Sequence, residues 1–400
     1  MEDAAAQNGR TRYDIGEIVR DHREALEASV RLGPAERRVL AAMALCRTAA
    51  LGGHLYSCMC GETEQAYNSC RDRHCPKCQF AAQERWIEAR AERIVPARHF
   101  HVVLTIPREL RWVAMCSPRV VLDALMRAAS ETLVQLGRTR HGVELGVTTV
   151  LHTWTREMAY HPHVHALVSA GGLAEEGWRD IQTEFLFPLK VLGQVFRGKL
   201  LDALERAGKS DKLAHIDAPD LKQALRLASH RDWVVYVKKA FRRPEHVLEY
   251  LGRYTHRVAI ANSRIEAVTA THITFRTKDE KTCTVSPVEF LRRFLLHVLP
   301  TGFTKIRHTG LYAPCKLKTD LARCHAELAD RRQEMTANVA KNKAQATTES
   351  DKPLRPAAPE LPSEPAVEHE LDRFCQKCGC LMTWTPVAPT ARAPPMRAAA

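Results

Sequence analysis

HPHVHALV, residues 161–168, sets His163 and His165 on either side of one apolar residue and runs on through a glycine pair at 171–172. Apolar, alternating and closed by glycine, it reads as a buried strand. Residues i and i+2 of a strand face the same way, so both imidazoles can grip one cation. Further along, YLGRY places Tyr250 and Tyr254 four apart, after a segment PEHVLE that opens as a helix with Pro244 and Glu245. At that spacing both phenols stack on one helix face. Alone, His-x-His is common on strand surfaces and a tyrosine pair commonly packs an amphipathic helix. Together, a strand-bound metal facing two helix-borne nucleophiles makes a workable active site.

The neighbouring segments suggest a sheet around this strand. VTTVLHTW (147–154) reads as its pairing partner, HFHVVLTIP (99–107) as a strand stopped by Pro107, and DWVVYVKKAF (232–241) as another. VAIANSRIEAVTATHITFRT has the alternation of a hairpin. Helical patterns cover 14–50, 79–95, 118–137, much of 190–230, and 287–300. The pattern predicts an α+β fold with a mostly antiparallel sheet and helices on one side.

Composition adds a partner. The formal net charge is +13 over 400 residues, with an ordinary hydrophobic content of 45%. Such an excess suits a polyanion, because lysines and arginines gain affinity by displacing counterions from phosphates. No window approaches the ~18 uninterrupted apolar residues of a membrane span, and the N-terminus lacks a signal or transit pattern, so the expected location is cytoplasmic. There the 13 cysteines stay reduced, and clustered ones read as metal ligands.

The main cluster, CMCGETEQAYNSCRDRHCPKC (58–78), holds five cysteines and a histidine. Cys75 and Cys78 have zinc-knuckle spacing, and Cys58 with Cys60 would complete a tetrahedron of thiolates. Cys-x-Cys is shorter than usual, so Cys70 or His74 could replace one of that pair. Arg71, Arg73, Lys77, Arg85, Arg90 and Arg93 make the module a candidate DNA contact, as do Lys238, Lys239, Arg242, Arg243, Arg253 and Arg257 around the tyrosines. Beyond about residue 331 the sequence turns rich in Ala, Pro, Glu and Thr and predicts a disordered tail. Within it Cys375, Cys378 and Cys380 form half a zinc site, to be completed by His369, by a second chain or not at all.

RRVLAAMALCRTAALGGHLYSC, YNSCRDRHCPKCQ, HFHVVLTIP, HPHVHALVSAGG and VLEYLGRYTHRVAI, in this order, resemble the two-tyrosine rolling-circle transposases of the insertion sequence 91 family over about residues 13–315. The resemblance implies a zinc-binding domain over 13–95, a nuclease domain of the HUH type (histidine-hydrophobic-histidine) over 96–320, and the tail over 331–400. It implies that His163 and His165 hold Mg2+ or Mn2+ against the scissile phosphate. Tyr250 and Tyr254 would be nucleophiles, forming 5′-phosphotyrosine on single-stranded element ends and target DNA. A hard cation takes more than two imidazoles; Glu249, His256 and His152 all lie in suitable segments. The chain departs from the family at Cys58-Met-Cys60-Gly61, one residue short, at Arg242-Arg243 in place of a glycine pair, and in the lead-in WTREMAY. A replication initiator or relaxase would use the same chemistry, and a non-catalytic zinc-dependent DNA-binding protein would use only the cysteines.

Overall fold

The computed structural model describes residues 13–78, 93–183, 186–241, 258–346 and 373–390. Along the chain run α1 (Ile15–Ser29), α2 (Pro34–Leu45), β1 (Gly53–Ser57), β2 (Thr63–Tyr67), β3 (His99–Thr105), α3 (Arg111–Cys116), α4 (Pro118–Leu136), β4 (Glu144–Trp154), β5 (Tyr160–Ala174) and β6 (Gly177–Asp180). They continue through α5 (Leu189–Lys209), α6 (Ala218–Ser229), β7 (Val235–Phe241), β8 (Ile265–Val268), β9 (Ile273–Arg276), β10 (Thr282–Val285), α7 (Pro287–Leu295), β11 (Ile306–Gly310), α8 (Asp320–Ala346) and β12 (Thr383–Val387). Two compact units result, one of Met1–Ala44 with Asp72–Ala329, the other of Leu45–Arg71 with Asp330–Ala400.

The first unit is built on an antiparallel sheet in the order β11-β4-β5-β3-β7, with β6 added to β5. Strand alternation decides what each face carries. Val164, Ala166, Val168 and Ala170 of β5, Phe100, Val102 and Leu104 of β3, and Val147 and Leu151 of β4 enter one core. Against it lies α4, whose buried residues Val121, Leu122, Leu125, Met126, Ala129, Leu133 and Leu136 recur at helical spacing. Pro118 opens α4, and Pro287 opens α7 behind a Ser286 cap that accepts the Glu289 N–H. The intervening positions of the strands, among them His101, His152, His163 and His165, therefore project from the opposite face. A separate antiparallel sheet, β10-β9-β8, completes the unit's β structure.

The chain is α+β with a mostly antiparallel sheet, and residues 13–95 are shared between the two units. Helix α1 packs on α7, the Ile15 N–H donates to Asn262 Oδ1 at 3.4 Å, and Lys77 Nζ meets Asp14 Oδ2 at 2.6 Å, so both ends of that span join the first unit. Residues 45–71 instead carry the hairpin β1–β2, which pairs antiparallel with β12. Much of the expected helix over 79–95 lies outside the described residues.

Within the tail expected over 331–400, helix α8 reaches Ala346 and residues 373–390 contain a strand. Composition does not signal this strand because it weighs apolar side chains. Segment 383–387 is held instead by backbone pairing to residues 53–57.

Candidate active site and thiolate clusters

Strand β5 runs between β4 and β3 at the middle of the sheet, and three imidazoles converge on its face opposite the apolar core. His163 and His165 come from β5, while His152 of β4 stands directly opposite His163 in the register. One ligand nitrogen from each lies within 4.8 Å of the others. The register shifts between His152 and Trp154, a bulge of the kind that re-aims side chains beside sites.

Hydrogen bonds orient the rings. The His163 Nδ1–H donates to the His161 carbonyl at 2.7 Å, leaving Nε2 free to ligate. His165 Nδ1 lies 2.8 Å from His101 Nε2, and the two Nε2 atoms of His163 and His165 stand 3.1 Å apart. With the proton on His165 Nδ1, both Nε2 lone pairs face one point. Two nitrogens at about 2.1 Å from one cation, at right angles, would stand about 3 Å apart, which fits. Burial also keeps these rings neutral, pushing His163 and His101 down to about 4 and His165 well below the ordinary range, with neighbouring imidazoles and lysines adding to the effect. Neutral imidazole is the ligand form.

The cluster opens into a cleft of about 400 Å³ lined by His152, Trp154, His161, His163, His165 and Arg264, with Ala259–Ala261 on its wall. There is room for oxygen ligands and a phosphate. Buried Ala259 holds a left-handed φ of 54°, strain of the sort that collects at functional sites. Lys305 lies with its Nζ 5.1 Å over the Trp154 ring, and burial pushes its ammonium down to about 7.

From the sequence, His152 is one of three candidate further ligands, with Glu249 and His256. Glu249 and His256 lie outside the described residues, as do Tyr250, Tyr254, Arg253 and Arg257. His101 and Lys305 were missed. His101 stands two residues from His99, the same spacing as in HPHVH, and that repeat was the available signal. Lys305 had none.

The thiols gather differently from the expected Cys58, Cys60, Cys75, Cys78 set. Cys58 and Cys60 meet Cys375 and Cys378, all four sulfurs within 4.8 Å. Cys70 donates its N–H to Cys46 Sγ at 3.5 Å, a neighbour the sequence reading passed over. Cys75 and Cys78 close a turn in the first unit, the Cys78 N–H bonding the Cys75 carbonyl at 3.0 Å. His74 is no thiolate substitute in this arrangement. Its Nδ1–H donates to Asp72 at 2.9 Å and its Nε2 accepts the Leu299 N–H at 3.3 Å, so both nitrogens are occupied.

Two of the expected DNA-contacting cations serve the fold. Arg73 donates to the carbonyls of Phe303 at 2.6 Å and Pro300 at 3.2 Å, and Lys77 is paired with Asp14. Arg71 and Lys238 are exposed, and Lys238 stands opposite His101 in the β3–β7 register. Lys239 lies on β7 beside it.

A central strand presenting His-Val-His is the feature that gives the HUH class of DNA-processing enzymes its name. Residues 146–319 match the family described as "Putative transposase", and residues 18–106 match "Transposase zinc-binding domain". The chain is 42% identical over 334 residues to the "Putative transposase y4qJ" of Sinorhizobium fredii, covering 79% of this chain and 84% of that one. It is 30% identical over 283 residues to the transposase for insertion sequence element IS801 of Pseudomonas savastanoi pv. phaseolicola, covering 68% of each. No solved structure matches. The chain belongs to the insertion sequence 91 family of transposases, with that family's N-terminal zinc-binding domain. DNA is therefore its substrate, and no helix among the described residues is long and apolar enough to cross a membrane.

Proposed function

We propose that this transposase cuts and rejoins single DNA strands through Tyr250 and Tyr254, with His163, His165 and His152 holding the Mg2+ or Mn2+ that the reaction needs. The observation that carries this reading is the convergence of three imidazoles on one point at the floor of an open cleft. When bound, the cation would neutralise the non-bridging oxygens of the scissile phosphate, so a phenol can attack without first losing its proton.

The phenol oxygen attacks phosphorus, the bond to the 3′ oxygen breaks, and the phenol proton is balanced by the one the 3′-OH gains. The product is a 5′-phosphotyrosine. It conserves the energy of the phosphodiester, so a DNA 3′-OH can later displace the tyrosine without ATP. Two tyrosines let one hold the first cut end while the other makes the second cut, as rolling-circle transfer requires. Connectivity supports the assignment: Ala259, on the cleft wall, follows Tyr254 by five residues, a span of at most about 18 Å. Exposed Lys238, on the strand paired with β3, would meet the DNA backbone.

The test is adduct formation. Purified protein with Mn2+ and single-stranded DNA from the element's end is expected to give a covalent species on denaturing gels. The Tyr250→Phe, Tyr254→Phe double variant should give none. An undiminished adduct in the double variant would refute the tyrosine assignment.

A further inference from the structure

We propose that Cys58, Cys60, Cys375 and Cys378 hold one structural zinc ion, which makes the C-terminal segment part of the zinc-binding module. These ligands come from segments up to 320 residues apart, and residues 373–390 lie beyond the span matched as zinc-binding domain.

Geometry is the first support. Cys58 Sγ lies 3.3 Å from Cys378 Sγ and Cys60 Sγ 3.6 Å from Cys375 Sγ. Disulfide sulfurs would stand at about 2.05 Å. Four thiolates around zinc, with bonds of about 2.3 Å, stand about 3.8 Å apart, close to what is found.

Backbone chemistry is the second. Backbone N–H groups favour the thiolate form at each sulfur, that of Cys60 at Cys58, of Glu62 at Cys60, of Cys378 and Lys377 at Cys375, and of Cys380 at Cys378. Such donors help to stabilise a set of thiolates around a cation. Both knuckles turn through a glycine of positive φ, Gly61 at 85° and Gly379 at 73°, where no other atom crowds the missing Cβ. There the backbone conformation is what calls for glycine.

Energetics is the third. Among the described residues the buried apolar side chains of the second unit are Cys46, Tyr56, Cys58, Cys375 and Met382, while β2 and β12 are largely exposed. So few apolar side chains do not offset the entropy of ordering two distant segments, and small modules of this kind rely on a metal. Four protein ligands leave no position for substrate, so the site is structural. It also closes only when residues 375–378 have been made.

Zinc content of the full-length chain tests this, measured by elemental analysis on Cys58→Ser/Cys60→Ser, Cys375→Ser/Cys378→Ser and the quadruple variant. Each double variant is expected to lose one equivalent, and the quadruple no more than one. Two equivalents lost in the quadruple, or none lost in either double, would overturn the shared site. Cys378→His keeps four ligands and guards against misfolding. Its cobalt-substituted form should retain the metal and shift its visible bands to shorter wavelength, whereas an unchanged spectrum would remove Cys378 from the set. Neither readout depends on the tyrosine chemistry.

Discussion

His101 illustrates how one side chain can act on a site without entering it. Its Nε2 lies 2.8 Å from His165 Nδ1, so it fixes which nitrogen of His165 carries the proton and which faces the cluster. Partners of this kind commonly account for 10- to 100-fold in metal affinity. His101→Phe is therefore expected to weaken Mn2+ binding by about 10–100-fold in calorimetric titration. An unchanged affinity would make His101 a packing residue only. His163 and His165 were legible because strand geometry puts i and i+2 on one side. His152 became the choice among described candidates only when β4 paired with β5, since register is a tertiary fact.

Elements on this sheet bury histidines beyond the site, and these give the fold a pH dependence. His99 on β3 donates from Nδ1 to the Ala97 carbonyl and accepts the Tyr312 hydroxyl at Nε2; His297 lies between Thr153 and Met158. Burial pushes both down to about 4, from an ordinary value of 6.5. A depressed histidine pKa means that the unfolded chain takes up protons first as pH falls. Stability is thus full above about 6.5 and declines towards 4, by up to about 1.4 kcal/mol per pH unit for each ring. Denaturant midpoints of metal-free protein should fall between pH 7 and 5; equal midpoints would contradict the buried, neutral assignment. The strands around HPHVH were readable from alternation, and α4 and α7 from periodicity and their prolines. Strand β12 was not, because TWTPV has little apolar content and exists through its pairing with β1.

For the molecule as a whole, a net charge of +13 predicts DNA affinity that falls steeply with salt, each neutralised phosphate on a single strand contributing about 0.7 to the log–log slope. The structure divides the basic residues by what they touch. Arg71→Ala should lower the slope by about 0.7, whereas Lys77→Ala should leave it unchanged, since Lys77 is already paired with Asp14. Equal effects in a salt titration would mean that the Lys77 pair opens on binding.

The sequence by itself determined the strands around HPHVH, helices α4 and α7, the paired histidines of β5 and, through motifs in fixed order, the family. These are local properties, carried by spacing along a few turns or pleats of backbone. Tertiary structure alone decided that His152 joins His163 and His165, that Arg73 and Lys77 serve the fold, and that Cys58 and Cys60 meet Cys375 and Cys378. No local pattern encodes a contact across 320 residues; it arises when strand pairing brings both thiol pairs within reach.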